Sequence, residues 1–267
     1  MRQFKIQNSK FKIIVFLIFA FLFFNFAFLE MASAELTVDA NHSHIKIDFF
    51  YHGSIVSISG QSDQNADLII KVSSPEGHQG FKKKGKAAGF LWMNMGELNF
   101  EHAPNLYFLH STKRLEEILS PEEANANTIG YSALGNHIKI TPVSDENEKT
   151  KWFEEFVKFK ESSRLYANSS GNISLTQKNS GQDFSIKLDW PYEAPHGDYI
   201  VTVYAVRNGR IIEQAETKVF VEQAGLVKAL ADMARDNGVL YGLISIAIAL
   251  GAGFGVGLVF RKGRGAH

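Results

Sequence analysis

The sequence predicts a mainly β protein with an α-helical insertion, hung on one C-terminal transmembrane helix. Three observations carry this. Residues 36–112 and those after Gly171 alternate polar and apolar side chains in short runs, separated by Gly and Asp/Asn clusters, as half-buried strands do. Residues 113–165 between them change to helical spacing. Residues 239–260 are 22 positions without one charge.

Taken from the start, Arg2, Lys5, Lys10 and Lys12 form a basic head before an apolar, Phe-rich run at 13–29 that only Asn25 interrupts. Ala32-Ser33-Ala34 supplies the small-x-small pattern of a signal peptidase site, so residues 1–34 read as a signal peptide cleaved before Glu35. An uncleaved anchor is the alternative, because 17 apolar residues is long for such a segment. Both readings leave residues 35–238 outside and the C-terminus inside.

The first strands follow from pattern. His44, Ile45, Lys46, Ile47, Asp48 and Phe49 alternate strictly. Residues 55–59 and 68–72 are further short strands, and 87–94 and 106–110 are two more candidates. Ser120-Pro121-Glu122-Glu123 then marks a helix start, with Ser as N-cap, Pro at the first helical position and Glu three residues after the cap. Residues 146–164 carry Trp152, Phe153, Phe156, Val157 and Phe159 at helical spacing. Trp152, Phe153 and Phe156 are expected to be buried against the strands, since so broad an aromatic stripe does not stay in water.

Asn208-Gly209 separates apolar runs at 199–206 and 211–221, a strong hairpin signal. Just before it stands Pro195-His196-Gly197-Asp198-Tyr199. A turn followed by Tyr at a strand start is the pattern of the tyrosine corner in immunoglobulin-like sandwiches. The architecture predicted is therefore an immunoglobulin-like β-sandwich over 35–222 with a helical insertion at 113–165. Two domains, 35–112 and 166–222, joined by a helical linker are the alternative. Residues 223–238 form a juxtamembrane helix, 239–260 the transmembrane helix and 261–267 a cytoplasmic tail, where Arg261, Lys262 and Arg264 follow the positive-inside rule. This places the protein in a bacterial inner membrane as a single-pass chain, with its main part in the periplasm.

Composition narrows the function. There is no cysteine, which excludes thiol redox catalysis and cysteine-bound metals and leaves stability to the core. Residues 35–238 hold 21 Lys+Arg against 27 Asp+Glu, a net charge of −6, which disfavours nucleic acid as a partner.

Several stretches match a known family in order and spacing. They are Gly89-Phe90-Leu91-Trp92-Met93-Asn94, Ala103-Pro104 with Tyr107 and Ser111, Leu165-Tyr166, Pro195-x-Gly197-x-Tyr199, Asn208-Gly209, Leu240-Tyr241-Gly242-Leu243 and Ala249-Leu250-x-Ala252-Gly253. In these the chain resembles the transmembrane protein family first noted in alphaproteobacteria, over nearly all of the segment after the signal peptide. The resemblance implies an association with sulfite-exporter-type permeases and hence an accessory role in transport. It brings no catalytic residues. Phe254 departs from the Trp expected there, a swap that keeps the aromatic ring.

Candidate sites are few. His42 and His44 lie two apart with His52 beyond, and two imidazoles at that spacing could share a metal. No third or fourth ligand stands nearby, so no metal site and no cofactor is assigned. Lys82, Lys83, Lys84 and Lys86 are a basic run that could contact an anion or a lipid headgroup. The more ordinary reading is of lysines at a hairpin edge that block strand-to-strand pairing, because point charges on a flexible loop make a weak anion site. Gly130-Tyr131-Ser132-Ala133-Leu134-Gly135 is one residue too long for a nucleophile elbow, and no P-loop or H-E-x-x-H is present, so the chain reads as a non-enzyme. The best lead is the transmembrane segment. Ala247, Gly251 and Gly255 form one small-residue ridge and Ala249, Gly253 and Gly257 another, offset by about 200° of helical rotation. Two opposed ridges suit a slender helix wedged between others. The expected partner is the membrane itself and a multi-pass membrane protein of permease type, with the chain as its non-enzymatic accessory subunit. The alternative is a free-standing exported binding module for a small anion or an envelope component.

Overall fold

The structure is a computed structural model that describes residues 35–262, apart from 49, 50, 88 and 180. The basic head, the signal peptide assigned to 1–34 and the tail beyond 262 lie outside the described residues. The protein is mainly β, with one apolar helix at its C-terminal end.

Thirteen strands are present among the described residues. β1 (Asp39–Ala40), β2 (His44–Ile47), β3 (Ser54–Ser62), β4 (Asp67–Ser73), β5 (Glu76–Ala87), β6 (Leu91–Pro104) and β7 (Tyr107–Ser111) come first. Helices α1 (Leu115–Ile118), α2 (Pro121–Ala126) and α3 (Tyr131–His137), strand β8 (Lys139–Thr141) and helix α4 (Glu146–Ser162) follow. Strands β9 (Tyr166–Ser170), β10 (Ser174–Lys178), β11 (Gly181–Trp190), β12 (Gly197–Arg207) and β13 (Arg210–Gln223) complete the body, and α5 (Gly225–Asp236) and α6 (Gly238–Lys262) end the described chain.

The strands form three sheets, of orders β1-β3-β11-β10, β2-β13-β12-β4-β7-β9 and β5-β6-β8. The six-stranded sheet is mixed: β2 runs parallel to β13 and β7 parallel to β9, while its other pairs are antiparallel. The β7–β9 pair is parallel because the whole helical stretch lies between the two strands. A parallel pair needs such a crossover.

That sheet is covered on both faces. Leu68, Ile70 and Val72 of β4, Phe108 of β7 and Val201, Val203 and Ala205 of β12 join Val56, Ile58, Phe184, Ile186, Leu188 and Trp190 of the four-stranded sheet in one core. The alternate residues, Ile69, Tyr107, Leu109, Tyr204 and Val206, point the other way. They join a second core with Leu98 and Phe100 of β6, Ile118 of α1, Ile129 between α2 and α3, Leu134 of α3, and Phe156 and Val157 of α4. A strand buried on both faces reads as a continuous apolar run, which is how Leu68-Ile69-Ile70 and Tyr107-Phe108-Leu109 stand in the sequence.

Local chemistry explains the turns and caps. Asn208 (φ 53°) and Gly209 (φ 79°) both adopt the left-handed region, as the two-residue turn between β12 and β13 requires. Ser120 caps α2 by accepting from the Glu123 amide at 3.3 Å, and Asp145 caps α4 in the same way at 2.8 Å. The Tyr199 hydroxyl donates to the Pro195 carbonyl at 2.5 Å, and its ring meets Trp190 edge-on at 4.9 Å.

Two expectations need correction. The strand expected at 87–94 instead straddles the turn of a long hairpin, because Gly89 adopts φ 80° and turns the chain between β5 and β6. The aromatic stripe of α4 is also not uniformly buried. Phe156 is buried, Trp152 and Phe153 are half-buried, and Phe159 is 52% exposed. A helix lying on one layer covers only the stripe that faces it.

Candidate functional site

Helix α6 is the one helix among the described residues that is long and apolar enough to cross a membrane. Gly238–Leu258 has mean hydropathy 2.1 and none of it is buried in the protein. Its 25 residues reach about 37 Å at ~1.5 Å each, enough for a hydrocarbon core of ~30 Å. The Ser245 hydroxyl donates to the Tyr241 carbonyl at 2.8 Å, so the helix carries its polar side chain already satisfied.

The small residues shape its surface. Ala249, Gly253 and Gly257 line a groove together with Leu250, Phe254 and Leu258, of about 480 Å³. A Cβ added at Gly251, Gly253, Gly255 or Gly257 would meet nothing within 4 Å. Ala247, Gly251 and Gly255 fall on nearly the opposite face. The helix is therefore thin on two sides and bulky between them, with Phe254 at 75% and Leu258 at 62% exposure.

The four lysines are placed on β5 rather than in a loop. Lys82, Lys84 and Lys86 are exposed, whereas Lys83 is half-buried. Lys83 turns toward α4, where its Nζ lies 3.3 Å from Glu148 and 4.7 Å over the Trp152 ring. The Ser144 amide, the Trp152 indole and Lys83 hold the Glu148 carboxyl well below the usual carboxylate range. Alternate residues of a strand stand about 6.6 Å apart, so Lys82, Lys84 and Lys86 spread along an edge and do not converge on one oxyanion. Phe90 and Leu91 are exposed at the hairpin's end, and Met93 and Met95 are exposed on β6 alongside the lysines.

Among the described residues, His42, His44 and His52 belong to no cluster of three or more metal-ligating side chains. His44 opens β2 and stacks on Phe220 at 5.4 Å, and His42 precedes the strand. Gly130 lies just outside α3 at φ 91°, and Ser132 sits inside that helix, so no strand-to-helix elbow presents Ser132 as a nucleophile.

Pattern reading missed His110. It lies against a cleft of about 560 Å³ lined also by Glu161, Arg164, Tyr166, Lys187 and Asp189, and its Nδ1 is 2.6 Å from the Ser169 hydroxyl. Burial lowers its pKa from 6.5 to about 4. The imidazole is thus neutral in the fold, and the unfolded chain takes up the proton first as pH falls. Stability present above about pH 6.5 is lost on the way down to about pH 4, by no more than ~3 kcal/mol. Thermal unfolding at pH 7 and pH 4.5 should show a smaller acid loss for His110→Gln than for the parent. Equal losses would remove His110 as the cause.

No solved structure and no curated protein of known role matches the chain. A family model spans residues 35–262, from the first described residue through the end of α6. The chain belongs to the family described as "Putative transmembrane protein (Alph_Pro_TM)".

Proposed function

We propose that this is a single-pass protein of the bacterial inner membrane that serves as a non-enzymatic accessory subunit of a multi-pass transporter. Its β body stands in the periplasm and its C-terminus in the cytoplasm. A permease of sulfite-exporter type is the partner class that the sequence resemblance implies. The observation that carries the reading is the groove along Ala249, Gly253 and Gly257, with a second small ridge behind it. Lipid tails are as apolar as leucine, so helices associate in a bilayer through close backbone approach rather than through hydrophobic burial. A plain anchor needs no groove, a symmetric dimer needs one small face, and a helix wedged between others uses two.

In this reading the body is an immunoglobulin-like sandwich. Its support is the strand order. β1-β3-β11-β10 corresponds to A-B-E-D, and β13-β12-β4-β7-β9 corresponds to G-F-C-C′-C″. The Tyr199 hydroxyl bond to Pro195 falls at the start of the F position. The helical layer replaces the usual short C′–C″ connection, and buried Val and Ile side chains stand where such domains often place a disulfide.

The test is to replace residues 239–260 with an unrelated leucine-rich apolar helix of equal length. The expected result is a protein that still reaches the membrane but no longer co-purifies with a multi-pass partner. Retained association and function would refute the packing role. The body would then carry the activity as a binding module for a small anion or an envelope component.

A further inference from the structure

We propose that Glu76, His102 and His137 form a site for a divalent transition-metal ion of the Zn²⁺ class, which clamps the β5–β6 hairpin to the helical layer. The three residues are 26 to 61 positions apart in sequence and come from three elements. Glu76 opens β5, His102 lies near the end of β6 and His137 is the last residue of α3. His102 Nδ1 stands 3.1 Å from one oxygen of Glu76, and His137 Nε2 stands 2.6 Å from the other. The two imidazole centroids are 5.8 Å apart, and all three ligand atoms lie within 4.8 Å of one another.

The backbone places these groups. Gly77 pairs with Ala103 and His78 with Glu101, so His102 is the extra residue of a β-bulge. It adopts φ 61°, a conformation that few residues besides Asn, Asp and His accept. Bulges re-aim a side chain, and this one is turned toward Glu76. His137 is fixed from the other side. Two residues further on, Lys139 of β8 pairs with Glu101 of β6, and Ile140 with Phe100. Ile138 and Ile140 are buried in the second core. Three ligands from separate elements are therefore held together by sheet pairing and core packing rather than by flexible loops.

The donor set selects the metal class. Two imidazoles and one carboxylate suit Zn²⁺, Co²⁺, Ni²⁺ and Cu²⁺, whereas Mg²⁺ and Ca²⁺ prefer all-oxygen sites. Tetrahedral Zn²⁺ with bonds of about 2.0–2.1 Å sets its ligand atoms about 3.3 Å apart. The side chains of Glu76, His102 and His137 are 50%, 59% and 39% exposed, so they are free to adjust from their spacing within 4.8 Å to the one this needs, and a fourth position is open to water.

The full chain, purified in detergent at pH 7.5, is titrated with Zn²⁺ by calorimetry and its thermal unfolding is followed with and without the ion. One ion per chain and a raised melting temperature are expected. Glu76→Gln, His102→Asn and His137→Gln should each weaken binding by ~10-fold or more. Asn is chosen at 102 because it tolerates the same backbone angle. His42→Gln should bind as the parent does. A hydrogen-bonded trio without metal affinity, binding unchanged in the three variants, or equal affinity for Mg²⁺ would each overturn the assignment.

Discussion

Phe156→Ala is expected to lower the unfolding free energy of the body by about 3–4 kcal/mol, the range for emptying a buried aromatic site. Phe156 is 4% exposed. Its ring stacks on Phe100 at 4.4 Å and meets Phe81 and Tyr166 edge-on, each at 5.6 Å. These contacts join α4 to β5, β6 and β9 at once. The site has little means to collapse, because the rings around it are anchored elsewhere: Phe100 pairs in β6, and the Tyr166 hydroxyl donates to the Pro104 carbonyl at 2.8 Å. Lys160 also lies against this cluster, with its Nζ 5.5 Å over the Phe156 ring and 3.3 Å from the Asn105 carbonyl. Burial lowers its pKa to about 8. Removing the ring would strip one favourable face from a cation already short of solvent. For a body of this size the melting temperature should fall by roughly 10 °C. Phe159→Ala is the control. That ring is half in water and touches only the edge of the cluster, so its loss should stay below about 1 kcal/mol. Equal effects at 156 and 159 would show that α4 is not packed through Phe156.

Gly253→Leu and Gly251→Leu are expected to leave insertion intact and to remove the multi-pass partner from the purified protein. Leucine is more apolar than glycine, so the span itself is not weakened. The effect is steric. At 253 the new side chain fills the groove between Leu250, Phe254 and Leu258. At 251 it roughens the other ridge. Each would hold a neighbouring backbone away and lose the close packing contacts on which helix association in a bilayer rests. If the helix is wedged, each variant alone should reduce co-purification at least ~10-fold, the consequence of losing about 1.4 kcal/mol of packing. Loss at only one position would indicate a single contact face, as in a dimer. Normal co-purification of both would leave the helix as an anchor.

Pattern reading worked where the physics is local. The Ser120 cap, the Asn208-Gly209 turn, the alternation at β2 and β3 and the short apolar run at β4 depend on a few neighbouring residues, and the structure places an element at each. The Tyr199 hydroxyl bond to Pro195 is also a short-range contact, four residues apart. The hairpin β5–β6 escaped because its strands are rich in Lys, Gly, Asn and Met and poor in β-branched residues. Its pairing partners, rather than propensity, keep it extended. The stretch at 87–94 reads as a strand by composition, although Gly89 turns it.

Sequence alone determined the class of the protein: strands by alternation, a helical stretch by spacing, and a helix long and apolar enough to cross a membrane by 22 uncharged residues in a row. These are properties of contiguous chain, and contiguity is what periodicity measures. Tertiary structure decided the rest. It set the six-stranded sheet between two cores, sent Lys83 onto Glu148 and left its neighbours in water. It buried Phe156 and exposed Phe159 on one helix, and it brought the side chains of Glu76, His102 and His137 within 4.8 Å of one another. Each of those outcomes depends on which distant residue faces which, through a bulge, a register or a crossover, and no local period encodes that information.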